Sequence, residues 1–281
     1  MAVFMFPGQG AQTRGMAGEL FSRYPEYTAA ADEILGYSVE ELCKTDPKGL
    51  LQQTEYTQPA LFVVNVLFYI EEIVRRRQYP RAVIGHSLGE YNALFAAGAF
   101  DFRTGVQLVK KRGELMSQQR GGGMAAVLGL DSASVRTAIQ DAGLDAIDLA
   151  NDNAPRQVVI SGPKSEIDRA QPIVEARGAR FVPLRVSGAF HSRYMKPVQQ
   201  EFSRALESAR IGECRLDVVA NVDAKPYHPG SVRANLLEQL VRPVLFTDSV
   251  RHLIARGETE FVEVGPGKVL TGLVGQVRGI N

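Results

Sequence analysis

Residues 81–95, RAVIGHSLGEYNALF, pass from an apolar run (Ala82-Val83-Ile84) through Gly85-His86-Ser87-Leu88-Gly89 into a helix-patterned segment. A serine set between two glycines, with a strand before it and a helix after it, reads as a nucleophile elbow. A bare G-x-S-x-G also arises as a glycine-rich turn carrying an ordinary serine. The flanking strand and helix distinguish this one. Such a turn stands the hydroxyl above a sheet and points helix N-terminal N–H groups at whatever the serine attacks. The chemistry it serves is acyl transfer.

Composition sets the outer limits. The chain has 281 residues, and its 32 Lys and Arg against 31 Asp and Glu leave a net charge of +1. No global field therefore favours nucleic acid or an acidic membrane as a partner. Cys43 and Cys214 lie far apart without metal-ligand spacing and read as free thiols of a reducing compartment, so cytoplasm is expected. The opening MAVFMFPGQG has neither the charged region nor the long apolar run of a signal peptide. The apolar stretch from Pro59 to Ile70 is interrupted by Asn65. It reads as a buried helix with Pro59 in its first turn, not as a membrane span.

Working outward from the elbow, AVFMF is a short buried strand ending in Pro7-Gly8-Gln9-Gly10, a loop that brings backbone amides to a strand's carboxyl end. Helical periodicity is expected from Met16 to Leu35, an irregular stretch around Asp46-Pro47, and a helix from near Pro59 to Arg77. Gly121-Gly122-Gly123 breaks the pattern. Beyond it come strand MAAVLGL, helix Ser132–Asp141, strands AIDLAN and QVVISG, helix Ser165–Arg177 and strand ARFVPLRVS. That β-α-β-β-α-β order is ferredoxin-like. The triple glycine and Gly188 mark it as an insertion, giving a first unit at 1–122 and 190–281 and an inserted one at 123–189, with a cleft between. The first unit resumes with helices, strand LDVVAN, a helix over Val232–Leu240 and strand EFVEVG.

A serine nucleophile needs a base. His252 falls opposite the apolar face of Val250, Leu253 and Ile254 and reads as surface; His228, in KPYHPG, reads as an exposed turn. His86 adjoins the serine but points elsewhere, and suits a supporting role. His191, in VSGAFHS, borders the expected cleft, as a base or as a structural histidine. Arg112 is the other notable side chain: Leu108, Val109, Leu115 and Met116 form an apolar helical stripe with Arg112 at its centre. A guanidinium facing the core must be paired, and from periodicity an internal ion pair satisfies it as well as an anionic ligand does. Arg75, Arg76, Arg77 and Arg81 cluster upstream of the elbow strand, either as a solvated helix end or as a docking rim for an acidic partner.

FPGQGAQ, TQPAL, GHSLGE, KKRGELM, NDNAPRQVVISG, GAFHS and VEVGPG follow one another in this order. With them the chain resembles, over essentially its whole length, the malonyl-CoA:acyl-carrier-protein transacylases and the related acyltransferases of polyketide synthases. The resemblance implies an α/β fold, an α/β-hydrolase-like core carrying an inserted ferredoxin-like subdomain. It implies Ser87 as nucleophile and His191 as base, with the backbone amides of Gln9 and Leu88 as oxyanion hole. Arg112 matches the arginine that binds the malonyl carboxylate, and Gln239 the glutamine whose neighbourhood orients the histidine. Asn151 and Asn153 are expected to line the cleft. Leu88, Ala189 and Phe190 match the malonyl-selective pattern; Gly188 departs from it, since malonyl-selective polyketide domains commonly carry histidine there.

The implied reaction moves a malonyl group from malonyl-CoA to the phosphopantetheine thiol of an acyl carrier protein through a malonyl-serine ester, without metal or redox cofactor. The expected partners are that carrier protein and malonyl-CoA, with no nucleic acid and no membrane, and the chain is expected to be a monomer. GYSVEELC and YTQPALFVVN resemble the discrete, trans-acting acyltransferases of polyketide assembly lines. An acyl-thioester hydrolase on the same fold and a non-catalytic docking subunit are the alternatives; Arg112 argues against the first, Ser87 with His191 against the second.

Overall fold

Two four-residue apolar runs, Val3–Phe6 (β1) and Ala82–Gly85 (β2), are buried at every position. Burial on both faces is the condition of parallel strands covered by helices on either side. They pair in parallel from Val3 with Ala82 to Phe6 with Gly85. In the structure, a computed structural model describing residues 2–279, they are the centre of a four-stranded parallel sheet. Asp217–Val218 (β7) lies outside β2 and Phe261–Glu263 (β9) outside β1.

The helices before the elbow depart from the expected pattern in instructive ways. Leu20–Arg23 (α1) and Pro25–Leu35 (α2) replace one long helix, because Tyr24 ends the first and Pro25, lacking an N–H, suits the first turn of the second. Val39–Lys44 (α3) occupies part of the stretch read as irregular; Ser38 caps it by accepting from Glu41 N at 3.2 Å. Thr54–Arg76 (α4) begins five residues before Pro59, which therefore sits inside the helix. At 23 residues, with mean hydropathy 1.3, α4 is long and apolar enough to cross a membrane, yet 67% of that apolar window is buried inside the fold. It packs between Gly89–Ala96 (α5) and Phe102–Ser117 (α6) as a core helix.

The second sheet follows the expected order: Gly122–Leu128 (β3), Ser132–Asp141 (α7), Asp148–Ala154 (β4), Gln157–Pro163 (β5), Lys164–Glu175 (α8) and Arg180–Pro183 (β6). Its strands lie in the spatial sequence β6-β3-β5-β4, with every neighbouring pair antiparallel. The sheet is not closed by those four strands. Val244–Leu245 (β8), from much later in the chain, adds in parallel to β4 through Asn151–Val244 and Asp152–Leu245. An unpaired edge is thereby covered and the two sheets are tied together. Lys196–Ser208 (α9), Val232–Val241 (α10), Phe246–Ala255 (α11) and Val269–Val277 (α12) complete the chain.

The elbow itself is a problem of close approach. A Cβ on Gly85 would stand 1.9 Å from the carbonyl carbon of Gly89, and one on Gly89 would stand 1.9 Å from the Phe6 carbonyl oxygen. Backbone, not a flexible side chain, occupies both spaces. Gly85→Ala is therefore expected to destabilise the fold by about 3 kcal/mol or more, the upper range of overpacking costs. Urea unfolding followed by circular dichroism measures this, and an unchanged midpoint would refute the packing argument.

Candidate active site

Ser87 leaves β2 with φ +52°, and His191 turns out of the second sheet with φ +56°. Neither residue type adopts that region without cost, about 1–3 kcal/mol each, so surrounding contacts must hold both. They do so, and they face each other: Ser87 Oγ lies 2.7 Å from His191 Nε2. His191 is 4% exposed. Its Nδ1 lies 2.7 Å from the backbone carbonyl of Gln239. That carbonyl is open for a reason legible in the sequence: the residue four further on is Pro243, which has no N–H to close the helical bond. A carbonyl only accepts, so Nδ1 carries the proton and Nε2 presents a lone pair to the serine. Burial, and then the charge of Arg112, push the imidazole down to about 3, so it is neutral.

Arg112 is 1% exposed, on α6. Nη1 donates to Gln58 Oε1 at 2.8 Å; Nη2 donates to Gln239 Oε1 at 2.9 Å and to Ser87 Oγ at 3.1 Å. All three partners are neutral, so the ion pair left open by the periodicity is not what satisfies it. The guanidinium carbon stands 5.5 Å from the Tyr91 ring centroid, and Nε is buried with no acceptor among the described residues. Burial lowers this group's affinity for its proton, opposed by Tyr91 and Glu90. The cation persists, because a guanidinium is not neutralised in proteins.

A polar network beneath the elbow holds these parts. Asn221 accepts the Ser87 N–H at 2.8 Å and donates to the Gly85 carbonyl at 2.7 Å, gripping the turn from both sides. Gln239 Nε2 donates to the Ser87 carbonyl at 2.8 Å and to the carboxylate of Glu90. Glu90 also accepts from Asn221 N and the Tyr227 hydroxyl. Burial pushes its carboxyl up to about 7, against those donors and the Arg112 charge. The Ser87 amide being taken, the N–H groups of Gln9 and Leu88 are left; neither donates to an acceptor among the described residues, and both residues line the cleft with Ser87. Gln58, Asn221 and Glu90 were missed in the sequence. Gln58 and Glu90 sat inside recognised motifs with no sign of where they pointed, and nothing local marked Asn221.

The cleft, about 100 Å³, is closed by Met116, Met124, Leu184, Val186 and Phe190, with Asn151 on its wall. Gly188 acquires a reason here. A Cβ there would stand 2.9 Å from Gln119 Cβ and 3.1 Å from the Phe190 ring, so a larger residue would displace the ring that narrows the cleft. Asn153 Oδ1 meets His86 Nε2 at 2.7 Å, away from the serine. His228 is exposed as read. His252 is not: it is half-buried, and its covered Nε2 has no partner among the described residues. Of the two readings of the arginine cluster, its placement favours the solvated helix end. Arg81 precedes β2 and binds the Ala2 carbonyl, at the strand end opposite Ser87. Arg75 pairs with Glu72, Arg76 with Glu72 and Glu260, and Arg81 with Glu258. None of the four lines the cleft.

Among known proteins the chain is similar to a polyketide biosynthesis malonyl CoA-acyl carrier protein transacylase of Bacillus velezensis, 51% identical over 99% of this chain and 97% of that one. A crystal structure of a malonyl CoA-acyl carrier protein transacylase from Burkholderia pseudomallei superposes with a TM-score of 0.97 at 46% identity, over 100% of this chain and 99% of the other. A malonyl-transacylase solved with its type II PKS acyl-carrier protein superposes at 0.93 with 35% identity, over 99% and 93%. The acyl transferase domain pattern matches residues 3–277, and the chain belongs to that family.

Proposed function

We propose that this enzyme carries malonyl groups from malonyl-CoA to the phosphopantetheine thiol of an acyl carrier protein, in polyketide or fatty acid biosynthesis. The observation that carries the reading is Arg112, a buried guanidinium with only neutral partners, 3.1 Å from the serine oxygen. A neutral acyl chain has no use for such a charge. The free carboxylate of malonate does, and guanidinium geometry suits it. The curated relative of Bacillus velezensis is named for polyketide biosynthesis and for this substrate pair.

The mechanism follows from the hydrogen bonds. Arg112 donates to Ser87 Oγ, so the serine's own proton points to the bare Nε2 of His191. As Oγ attacks the thioester carbonyl carbon, the proton passes to Nε2, and the adjacent cation favours the developing negative oxygen. The Gln9 and Leu88 amides receive the oxyanion. One such donor is worth about 2.7–4 kcal/mol in acyl transfer. Collapse breaks the C–S bond, and His191 returns the proton to the departing CoA sulfur. The carrier-protein thiol then enters, gives its proton to His191 and takes the malonyl group, restoring Ser87. A carboxylate seated on Arg112 also offsets the positive field that holds His191 down, so the base strengthens when the right substrate is bound.

These steps use side chains and amides of this chain and no metal or redox group. We read residues 1–122 and 190–281 as the core and 123–189 as the insertion, with the acyl group at their seam. Cys43 and Cys214 are free thiols, which suits a reducing cytoplasm.

Brief exposure to malonyl-CoA is expected to add one malonyl group, found by peptide mass spectrometry on the fragment holding Ser87. Label that persists in Ser87→Ala would remove the serine from the reaction. Arg112→Ala is expected to cost malonyl loading roughly 2–5 kcal/mol, about 30- to 4,000-fold, while acetyl loading holds or rises. Arg112→Lys keeps the charge without the fork and should recover only part of the loss. Equal loss of both acyl groups, read by the same mass assay, would make Arg112 structural.

A further inference from the structure

Glu90, the first acid after the elbow, is 1% exposed and uses its two oxygens for different tasks. Oε1 accepts from Asn221 N and from the Tyr227 hydroxyl, both at 2.8 Å. Oε2 accepts from Gln239 Nε2, which also donates to the Ser87 carbonyl. Glu90 Oε2, the Ser87 carbonyl and, at 3.4 Å, Asn221 Oδ1 all face that nitrogen as acceptors, so the Gln239 amide has one allowed orientation. Its oxygen must then face Arg112 Nη2, 2.9 Å away. An amide turned the other way would set N–H groups against the guanidinium.

We propose that Glu90 is a positioning residue for malonyl recognition: by pinning the Gln239 amide it holds the Arg112 guanidinium where the acyl carboxylate meets it. Glu90 touches neither substrate nor reacting atoms and acts through Gln239. The inference rests on the reading of Arg112 as the malonyl anchor.

Glu90→Gln isolates the effect. Glutamine keeps an oxygen for Asn221 and Tyr227, so those two contacts survive, but it sets an NH2 group against Gln239 Nε2. Two donors cannot share that contact, so the Gln239 side chain is pushed off it and its oxygen is no longer held against Arg112. Protonating Glu90 has the same consequence, because Oε1 is already engaged by two donors and the proton goes to Oε2. Burial favours that protonation and pushes the carboxyl up to about 7. The titratable and charged groups facing it are Arg112 from α6, Tyr91 from α5 and Tyr227 from the loop after β7; burial holds both tyrosines neutral.

Malonyl and acetyl loading from their CoA thioesters are compared in wild type, Glu90→Gln, Arg112→Ala and the double variant, at pH 6 and pH 8, with thermal unfolding of each. At pH 8 Glu90→Gln is expected to lower malonyl kcat/KM about tenfold, chiefly through KM, and acetyl loading by less than about twofold. In the Arg112→Ala background the same change should move malonyl loading less than about twofold. The wild-type malonyl-to-acetyl ratio should fall from pH 8 to pH 6 and stay level in Glu90→Gln. Equal loss of both acyl groups, an undiminished malonyl loss without Arg112, or the same pH dependence in both proteins overturns the proposal. Should Glu90→Gln fail to fold, Gln239→Met, which removes the amide and keeps the backbone carbonyl, must lower the ratio at pH 8 or the proposal falls. If Arg112→Ala does not separate the two acyl groups, the malonyl reading itself has failed; if it does and Glu90→Gln does not, this inference alone has.

Discussion

A guanidinium keeps its proton inside a protein, and Arg112 is 1% exposed. Taking such a charge from water costs several kcal/mol unless donors are matched by acceptors. The protein supplies two amide oxygens and the serine hydroxyl, all neutral, and among the described residues none accepts from Nε. A carboxylate pressed directly on the fork would have satisfied it more completely. It would also have occupied the place of an incoming anion. The negative charge instead lies one amide away, at Glu90, so it tempers the field without blocking the site.

That arrangement explains why Gln239 carries so many contacts. Its backbone carbonyl sets the tautomer of His191, its oxygen receives Arg112, and its nitrogen grips both the Ser87 carbonyl and Glu90. A carbonyl in place of an acid behind the histidine favours the imidazolium less, and burial beside Arg112 lowers it further. The imidazole is thereby kept neutral and tied to the state of the arginine. His191 and Arg112 meet at one residue, Gln239.

The backbone supports this by strain confined to two points. Ser87 and His191 both hold positive φ, one just after β2 of the first sheet and the other in the loop beyond β6 of the second. Asn221 clamps one turn through the Ser87 amide and Gly85 carbonyl, while Ser192 Oγ secures the other by donating to the Ala189 carbonyl at 2.5 Å. The β8 strand joins the sheets by pairing with β4, so the distance between nucleophile and histidine does not depend on a flexible connection.

The strand–turn–helix at 81–95, the β-α-β-β-α-β order and the apolar stripe around Arg112 were legible in the sequence, because periodicity and glycine spacing are local properties of the chain. Local reading also told which residues could do chemistry. It failed where the deciding partner lay far along the chain. The Ser38 cap lies three residues from its donor and is a local signal left unused, whereas β8 is two residues long and exists only against β4. His252 looked solvated on its own helix and is half-covered by its neighbours. Two of the arginines of 75–81, Arg76 and Arg81, pair with Glu260 and Glu258 from the other end of the chain, which no local pattern shows. Sequence determined that a serine, a histidine and a core-facing arginine were available. Tertiary structure alone decided that one residue, Gln239, would hold two of them, the histidine through its backbone carbonyl and the arginine through the side-chain amide that Glu90 grips, because a hydrogen bond is set by distance and angle in space and leaves no period in the chain.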